Sequence, residues 1–222
     1  MIDIIFLTLK ISVVATLLNI PLALIIGWAV GRKNFRGKFL LELLVSLPLA
    51  LPPVVLGYML LLLIGRSGPI GQISHLLFGS DIVFTWVAAT LAASVVSLPL
   101  MARATIVSMS SVDETLERSA RSLGAGPFRT FLTITIPLSY HGVLGGILIG
   151  FVRALAEFGA TIIVAGNIPG STQTIPLAIY NKVQLGRNDE ALVLVGVSVL
   201  LAICTLSVYT WLLSRSGKNY SL

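Results

Sequence analysis

Residues 117–137 read ERSARSLGAGPFRTFLTITIP, a polar run that lies between two long apolar stretches of the chain. A connector that only reversed the chain direction would need few residues in no particular order. This run instead carries charged helix-forming residues, a glycine stop and a proline that can begin a second helix. We therefore expect a structured segment outside the membrane that another protein holds.

The composition of the whole chain predicts an integral membrane protein. Of its 222 residues, 56% are hydrophobic and 11% are charged, which is too little polar surface to cover a soluble globule. Helices are the expected spanning elements, because the period-2 alternation of a membrane barrel is absent. The charge-free runs that reach the roughly 20 residues of a spanning helix are 11–31, 43–65, 82–102, 130–152, 158–181 and 191–214.

The number of spans depends on the segment 130–181, which is interrupted by charge only at Arg153 and Glu157. Pro137 and the Asn-Ile-Pro-Gly segment 167–170 are strong helix breakers. We therefore predict one helix from about Leu138 to Ala165, and about five spans in all. A six-span chain with a hairpin at Arg153–Glu157 is the alternative.

The lysines and arginines predict the orientation of the chain. Ten of the 15 lie in loops 31–42 and 103–129 and in the tail with Arg215 and Lys218, against four on the opposite side. By the positive-inside rule, the N-terminus is outside and the C-terminus is cytoplasmic. Both the five-span and six-span chains place the polar run in the cytoplasm. The basic pI follows from this topology and does not indicate nucleic acid binding.

Local signals in the cytoplasmic loop predict a short helix. Ser111 and Glu114 have the spacing of a capping box, so the helix is expected to begin at Ser111. Gly124 supplies a left-handed stop. Two i,i+4 ion pairs in the favourable orientation stabilise such a helix by about 0.2–0.5 kcal/mol each; they join Glu114 to Arg118 and Glu117 to Arg121.

One face of the predicted helix is apolar. Its residues recur at helical spacing and are Val112, Leu116, Ala120 and Leu123. A cytoplasmic helix of about twelve residues is marginal by itself, so this face has to pack against something. The partner could be the chain's own membrane domain or a separate protein, and the residues alone support both equally well.

The run resembles the cytoplasmic EAA loop of ABC-importer permeases, whose pattern is Glu-Ala-Ala, three residues, Gly, nine residues, Ile, one residue, Leu-Pro. The residues at these spacings here are Arg118, Ser119, Ala120, Gly124, Ile134, Ile136 and Pro137. Arg118 therefore stands in place of the family's Glu, and Glu117 lies one position earlier. The resemblance implies that loop 111–137 docks on a separate ATPase through Val112, Leu116, Glu117, Arg118, Ser119, Ala120, Leu123, Gly124 and Ala125.

Segments 46–58, 157–161 and 166–180 look like those of molybdate-type oxyanion permeases, and the likeness runs from about Leu7 to the end of the last span. It implies a type I importer fold in a prokaryotic inner membrane, a second copy of the chain, an ABC ATPase dimer, and a periplasmic or surface-tethered binding protein. The implied cargo is molybdate, with tungstate next. Sulfate, an amino acid, and a channel or carrier without an ATPase are the alternatives.

Catalysis is not expected in this chain. It lacks the Gly-x4-Gly-Lys-Ser/Thr loop that holds nucleotide phosphates, so ATP and Mg²⁺ belong to the partner. The two histidines, His75 and His141, are isolated, which argues against a metal site.

Within the membrane, Arg153, Glu157 and Thr161 recur at i, i+4 and i+8, which places them on one face of the predicted fourth span. Charges at that depth face a protein interior or an aqueous path. Arg153 and Glu157 can also pair, so an ion pair that fixes helix packing is as well supported as an oxyanion path lined by Arg153, Glu157, Thr161 and Asn167. A stripe of small residues on the fourth span predicts a close helix neighbour; its members are Gly142, Gly146, Gly150 and Ala154. In the second span, the proline pair Pro52-Pro53 predicts a kink.

Overall fold

The computed structural model describes the backbone of residues 1–217 and the side chains of residues 1–211, and this part of the chain is helical with no strand. Lys218 and the side chain of Arg215, which enter the charge count of the tail, lie outside the described residues. The helices are α1 (Ile2–Arg32), α2 (Lys38–Ala50), α3 (Pro53–Ile64), α4 (Pro69–Phe78), α5 (Trp86–Ser110), α6 (Glu114–Ser122), α7 (Pro127–Thr130), a π-helical turn (Phe131–Thr135), α8 (Ile136–Leu155), α9 (Gly159–Ala165), α10 (Ile175–Gln184) and α11 (Asn188–Gly217).

Four stretches of helix are long and apolar enough to cross a membrane, namely Ile2–Arg32, Trp86–Ser110, Pro127–Leu155 and Asn188–Trp211. A fifth span is formed if α2 and α3 are taken together, and the chain bends by 114° between them. The prediction of about five spans is therefore confirmed. The expected kink is a full break. Pro52 has an extended backbone, and Pro53, the first residue of α3, has no N–H to donate to a carbonyl of the preceding helix.

The predicted start of the fourth span is wrong. The helix begins at Pro127, passes through the π-helical turn and continues through Pro137 without a break. A proline inside a helix removes one backbone hydrogen bond, and the wide turn just before Pro137 accommodates that loss. The last residues of loop 111–137 thus already belong to the spanning helix.

The predicted end of the fourth span is also wrong. The helix stops at Leu155, and three residues separate it from the short helix α9, which ends at Gly166 with a φ of +68°. Arg153 and Thr161 are therefore on different helices and do not share one continuous face. This break lies at the Arg153–Glu157 position of the alternative hairpin, but α9 is only 7 residues long, too short to be a sixth span.

Among the described helices, α1 and α5 share the most extensive packing interface. At its centre Asn19 is fully buried, and its side-chain amide donates to the Ser94 carbonyl at 2.9 Å and to the Ser97 hydroxyl at 3.0 Å. The Ser94 hydroxyl donates to the Asn19 carbonyl oxygen in return. Because every polar atom of the Asn19 side chain is paired, this contact joins the two spans without leaving an unsatisfied group in the membrane.

The small residues of the fourth span pack on α5 of the same chain. A Cβ added at Gly146 would lie 2.9 Å from the Ala104 Cβ, and one added at Gly150 would lie 2.7 Å from the Met101 Cε. The sequence predicted a close neighbour without identifying it. The structure shows that α5 is that neighbour.

Candidate functional site

The cytoplasmic helix α6 begins later than its sequence predicts. Its N-cap is Asp113, whose carboxylate accepts a hydrogen bond from the backbone N–H of Thr115 at 2.8 Å. That hydrogen bond lowers the pKa of Asp113. The predicted capping box is wrong because α5 extends to Ser110, so that Ser111 ends α5 rather than beginning α6.

The remaining local predictions for α6 are confirmed. Gly124 follows the helix with a φ of +88°, the left-handed conformation that glycine adopts without strain. The two predicted i,i+4 pairs are present, with N–O distances of 2.9 Å for Arg118–Glu114 and 3.7 Å for Arg121–Glu117. These features depend on residues within one or two turns of each other.

The apolar face of the loop is divided between two environments. Val112 precedes α6 and is buried in the chain itself, whereas Leu116 is 46% exposed and Leu123 is 90% exposed. Part of this face therefore packs on the chain itself, and part of it is left exposed. Of the other residues assigned to ATPase coupling, Arg118, Ser119 and Gly124 are exposed, Ala120 and Ala125 are half-buried, and Glu117 is buried.

Glu117 points into the membrane domain and not toward solvent. Its Oε1 accepts hydrogen bonds from the Arg32 Nε at 2.9 Å and from the Thr135 hydroxyl at 2.5 Å. Burial raises the pKa of Glu117, but the hydrogen bonds from Arg32 and Thr135 outweigh it, and the pKa is lowered overall. The group is therefore a carboxylate at neutral pH, and it joins α6 to the ends of the first and fourth spans.

Arg32 extends this contact to the end of α5. Its Nη1 donates to the backbone carbonyl of Val112 at 2.7 Å and to that of Met109 at 3.4 Å. One guanidinium thus holds the last turn of α1, the end of α5 and the middle of α6. The sequence does not relate these residues, because Arg32 is only one of the basic residues of loop 31–42 and Thr135 occupies an unspecified position of the loop pattern.

The second group of candidate residues lies where two broken spans meet. A Cβ added at Gly57 of α3 would lie 2.8 Å from both the Cα and the carbonyl oxygen of Ala160 in α9. A Cβ added at Gly159 would lie 3.0 Å from the Pro53 Cβ. The first residues of α3 and α9 are therefore side by side, and the breaks before them adjoin each other.

An ion pair lies at this junction. Arg153 Nη1 is 2.9 Å from Glu157 Oε2, and the side chains are 27% and 2% exposed respectively. The other carboxylate oxygen of Glu157 accepts a hydrogen bond from the Ala160 N–H at 2.8 Å, so this side chain, from the residue before the N-cap Phe158, also caps the first turn of α9. The predicted pairing of Arg153 with Glu157 is confirmed.

The two neutral candidates are not part of this ion pair. Thr161 is buried in α9, on the far side of the break from Arg153. Asn167 follows α9, and its side-chain oxygen accepts a hydrogen bond from Gln173 at 2.9 Å. The structure therefore brings Arg153 and Glu157 together, with Thr161 one turn further along and Asn167 beyond the helix.

Residues 20–216 match the family described as the binding-protein-dependent transport system inner membrane component. The chain belongs to this family. It is 45% identical to the molybdenum transport system permease protein ModB of Escherichia coli K12, over 97% of this chain and 94% of that one. It is 36% identical to the sulfate transport system permease protein CysW of Synechococcus elongatus, over 96% of this chain and 74% of that one.

The fold agrees with this membership. The structure matches a chain of a bacterial alginate ABC transporter solved with an alginate pentasaccharide-bound periplasmic protein, with a TM-score of 0.75. The match covers 99% of this chain and 79% of that one, at 18% sequence identity. The predicted all-helical importer-permease fold and inner-membrane location are confirmed. In this binding-protein-dependent permease, the two groups of candidate residues lie at the cytoplasmic helix and at the paired helix breaks.

Proposed function

We propose that this chain is the permease subunit of an ATP-driven importer, and that it moves an oxyanion into the cytoplasm by alternating access. The choice of cargo rests on the 45% identity to a molybdenum permease over nearly the whole chain. Molybdate is therefore the first candidate and tungstate the next. The lower identity to a sulfate permease makes sulfate the second class of cargo to test.

The machine that we propose has three kinds of partner. A second copy of the chain completes the membrane part, a cytoplasmic ABC ATPase dimer holds ATP and Mg²⁺, and a periplasmic or surface-tethered protein delivers the oxyanion. The family description, which refers to binding-protein-dependent transport, supports the last of these. The exposed leucines Leu116 and Leu123 on the cytoplasmic loop support the ATPase, because exposed apolar side chains grouped on a polar segment are typical of a protein contact.

In this proposal the oxyanion passes the junction of the two helix breaks. The guanidinium of Arg153 is partly exposed and attracts the anion, while the buried carboxylate of Glu157 offsets part of that charge. Transport requires this balance, since a site that binds its ion too tightly does not release it. Thr161 and Asn167 would supply neutral contacts along the same path.

Uptake into proteoliposomes tests the cargo. The permease is reconstituted with its ATPase and binding protein, and uptake of labelled molybdate is measured with ATP inside. We expect ATP-dependent uptake that an excess of tungstate abolishes and a similar excess of sulfate leaves largely intact. Saturable sulfate uptake that molybdate does not inhibit would reassign the cargo, and uptake without any ATPase would refute the importer class.

Docking of the ATPase on the loop is tested by Leu123→Asp. Burying a fully exposed leucine in an interface contributes about 1.5–3 kcal/mol, so losing it and placing a carboxylate there should weaken ATPase binding by more than about tenfold. The measurement is the amount of ATPase that co-purifies with the tagged permease.

The matched control for this experiment is Leu185→Asp. Leu185 is 60% exposed and lies at the end of α10, on the side of the chain that the charge distribution places outside the cell. Its substitution should leave the co-purified ATPase unchanged. Equal retention of the ATPase by both variants would show that the loop does not carry the docking surface.

A further inference from the structure

Of the two acidic residues of α6, Glu114 and Glu117, only Glu117 is buried within the chain. The side chains of Arg32 and Glu117 are only 4% and 9% exposed. By contrast, the side chains of the Glu114–Arg118 pair on the same helix are 67% and 76% exposed at the same 2.9 Å separation. The outer pair lies within α6 and is screened by water, so it stabilises that helix only weakly and joins it to nothing else. The buried pair is the one that ties α6 to the spans.

We propose that Arg32, Glu117 and Thr135 form an internal clamp that transmits the displacement of α6 to the first and fourth spans. Glu117 is then a positioning residue that acts within the permease, and it is not a contact to the ATPase. This inference rests on the proposed function, because it assigns a route for the motion that an ATPase imposes on α6.

The covalent route from α6 to the fourth span is compliant, which is why a clamp is needed. Gly124 and Gly126 both lie between α6 and Pro127, and Gly124 has a φ of +88°. Glycines offer little resistance to backbone rotation. A push on α6 would bend this link before it moved α8. The clamp bypasses the link, because Glu117 is bonded directly to Arg32 and Thr135.

The π-helical turn supports the same assignment. Thr135 is the last residue of the turn Phe131–Thr135, and its hydroxyl reaches Glu117 Oε1. Each residue of an α-helix rotates the chain by about 100°. The π-helical turn contains one residue more than an α-helical turn, and this extra residue changes the face of the helix on which Thr135 lies. Such turns are rare and occur frequently at functional sites, and here the turn directs a hydroxyl at the clamp.

The fully assembled complex in proteoliposomes tests the clamp through the ratio of oxyanion imported to ATP hydrolysed. For Glu117→Gln and for Arg32→Gln, we expect the ATPase to co-purify normally and to hydrolyse ATP, while the ratio falls at least tenfold. Thr135→Val keeps the side-chain shape and removes only the hydroxyl bond, so it should fold normally and lower the ratio by a smaller factor. Thr135→Ser keeps the hydroxyl and should restore the ratio.

The matched control is Glu190→Gln, which removes an exposed carboxylate paired with Lys182 and Arg187 near the start of α11. It should leave the ratio unchanged. Loss of the ATPase from Glu117→Gln but not from Arg32→Gln would overturn the clamp, because Glu117 would then be an ATPase contact. An unchanged ratio in Thr135→Val and Glu117→Gln would also overturn it. Absence of ATP-driven uptake in the unaltered complex would instead refute the proposed function, and the clamp with it.

Discussion

Arg153→Gln is expected to lower both the stability of the permease and its uptake activity, whereas the double variant Arg153→Gln/Glu157→Gln should recover stability without recovering uptake. The single variant leaves the Glu157 carboxylate, 2% exposed, without its cation. Removing one partner of a buried ion pair destabilises a protein by about 3–5 kcal/mol. The double variant removes this uncompensated charge.

The double variant also preserves the second role of Glu157. The glutamine carbonyl oxygen can accept the same hydrogen bond from the Ala160 N–H that the carboxylate accepts at 2.8 Å. The cap of α9 is therefore kept while both charges are lost. What the double variant lacks is the cation that attracts the oxyanion, and uptake should stay at least about tenfold below that of the unaltered chain.

Thermal unfolding of the purified complex and molybdate uptake in proteoliposomes are the two measurements. If Arg153 and Glu157 only fix helix packing, the double variant regains uptake together with stability, and the pathway role is refuted. Arg187→Gln is the control. It neutralises an arginine whose side chain is 59% exposed and 3.7 Å from Glu190, so neither quantity should change.

The features that the sequence predicted correctly are those set by neighbours along the chain. Long apolar runs give spans wherever a helix must satisfy its own backbone in lipid. The glycine stop at Gly124 and the two ion pairs of α6 follow from spacings of a few residues. The start of α6 was missed because α5 continues beyond the end of its charge-free run at residue 102 as far as Ser110, which makes Ser111 the C-cap of α5.

The features that the sequence could not predict depend on contacts between distant residues. Arg32 and Glu117 are separated by 85 positions, and neither the charge count nor the loop motif relates them. The break after Leu155 is similar, since no proline lies there. It is stabilised by the Glu157 cap and by the close approach of α9 to α3. Hydrophobic periodicity has no information about either contact.

Gly57→Ala should separate α3 from α9 and nearly abolish uptake, because the two helices touch at this glycine. The added Cβ would lie 2.8 Å from the Cα and the carbonyl oxygen of Ala160. Both are backbone atoms, so no change of rotamer relieves the clash. The helices have to move apart, which costs about 1–3 kcal/mol. The movement also displaces Ala160, whose N–H is bonded to Glu157.

The control for Gly57→Ala is the same substitution at Gly145, where the added Cβ would meet the Tyr209 Cε2 at an ordinary 3.5 Å. Alanine is favoured over glycine inside a helix by up to about 1 kcal/mol, so Gly145→Ala should be neutral or stabilising. Gly57→Ala should therefore lower the unfolding temperature, whereas Gly145→Ala should leave it unchanged or raise it, although the two substitutions are chemically identical. Ala160→Gly should fail to rescue Gly57→Ala, since it leaves both clashing atoms in place. Normal uptake by Gly57→Ala would show that the contact between the two breaks is dispensable, and that the oxyanion path does not depend on it.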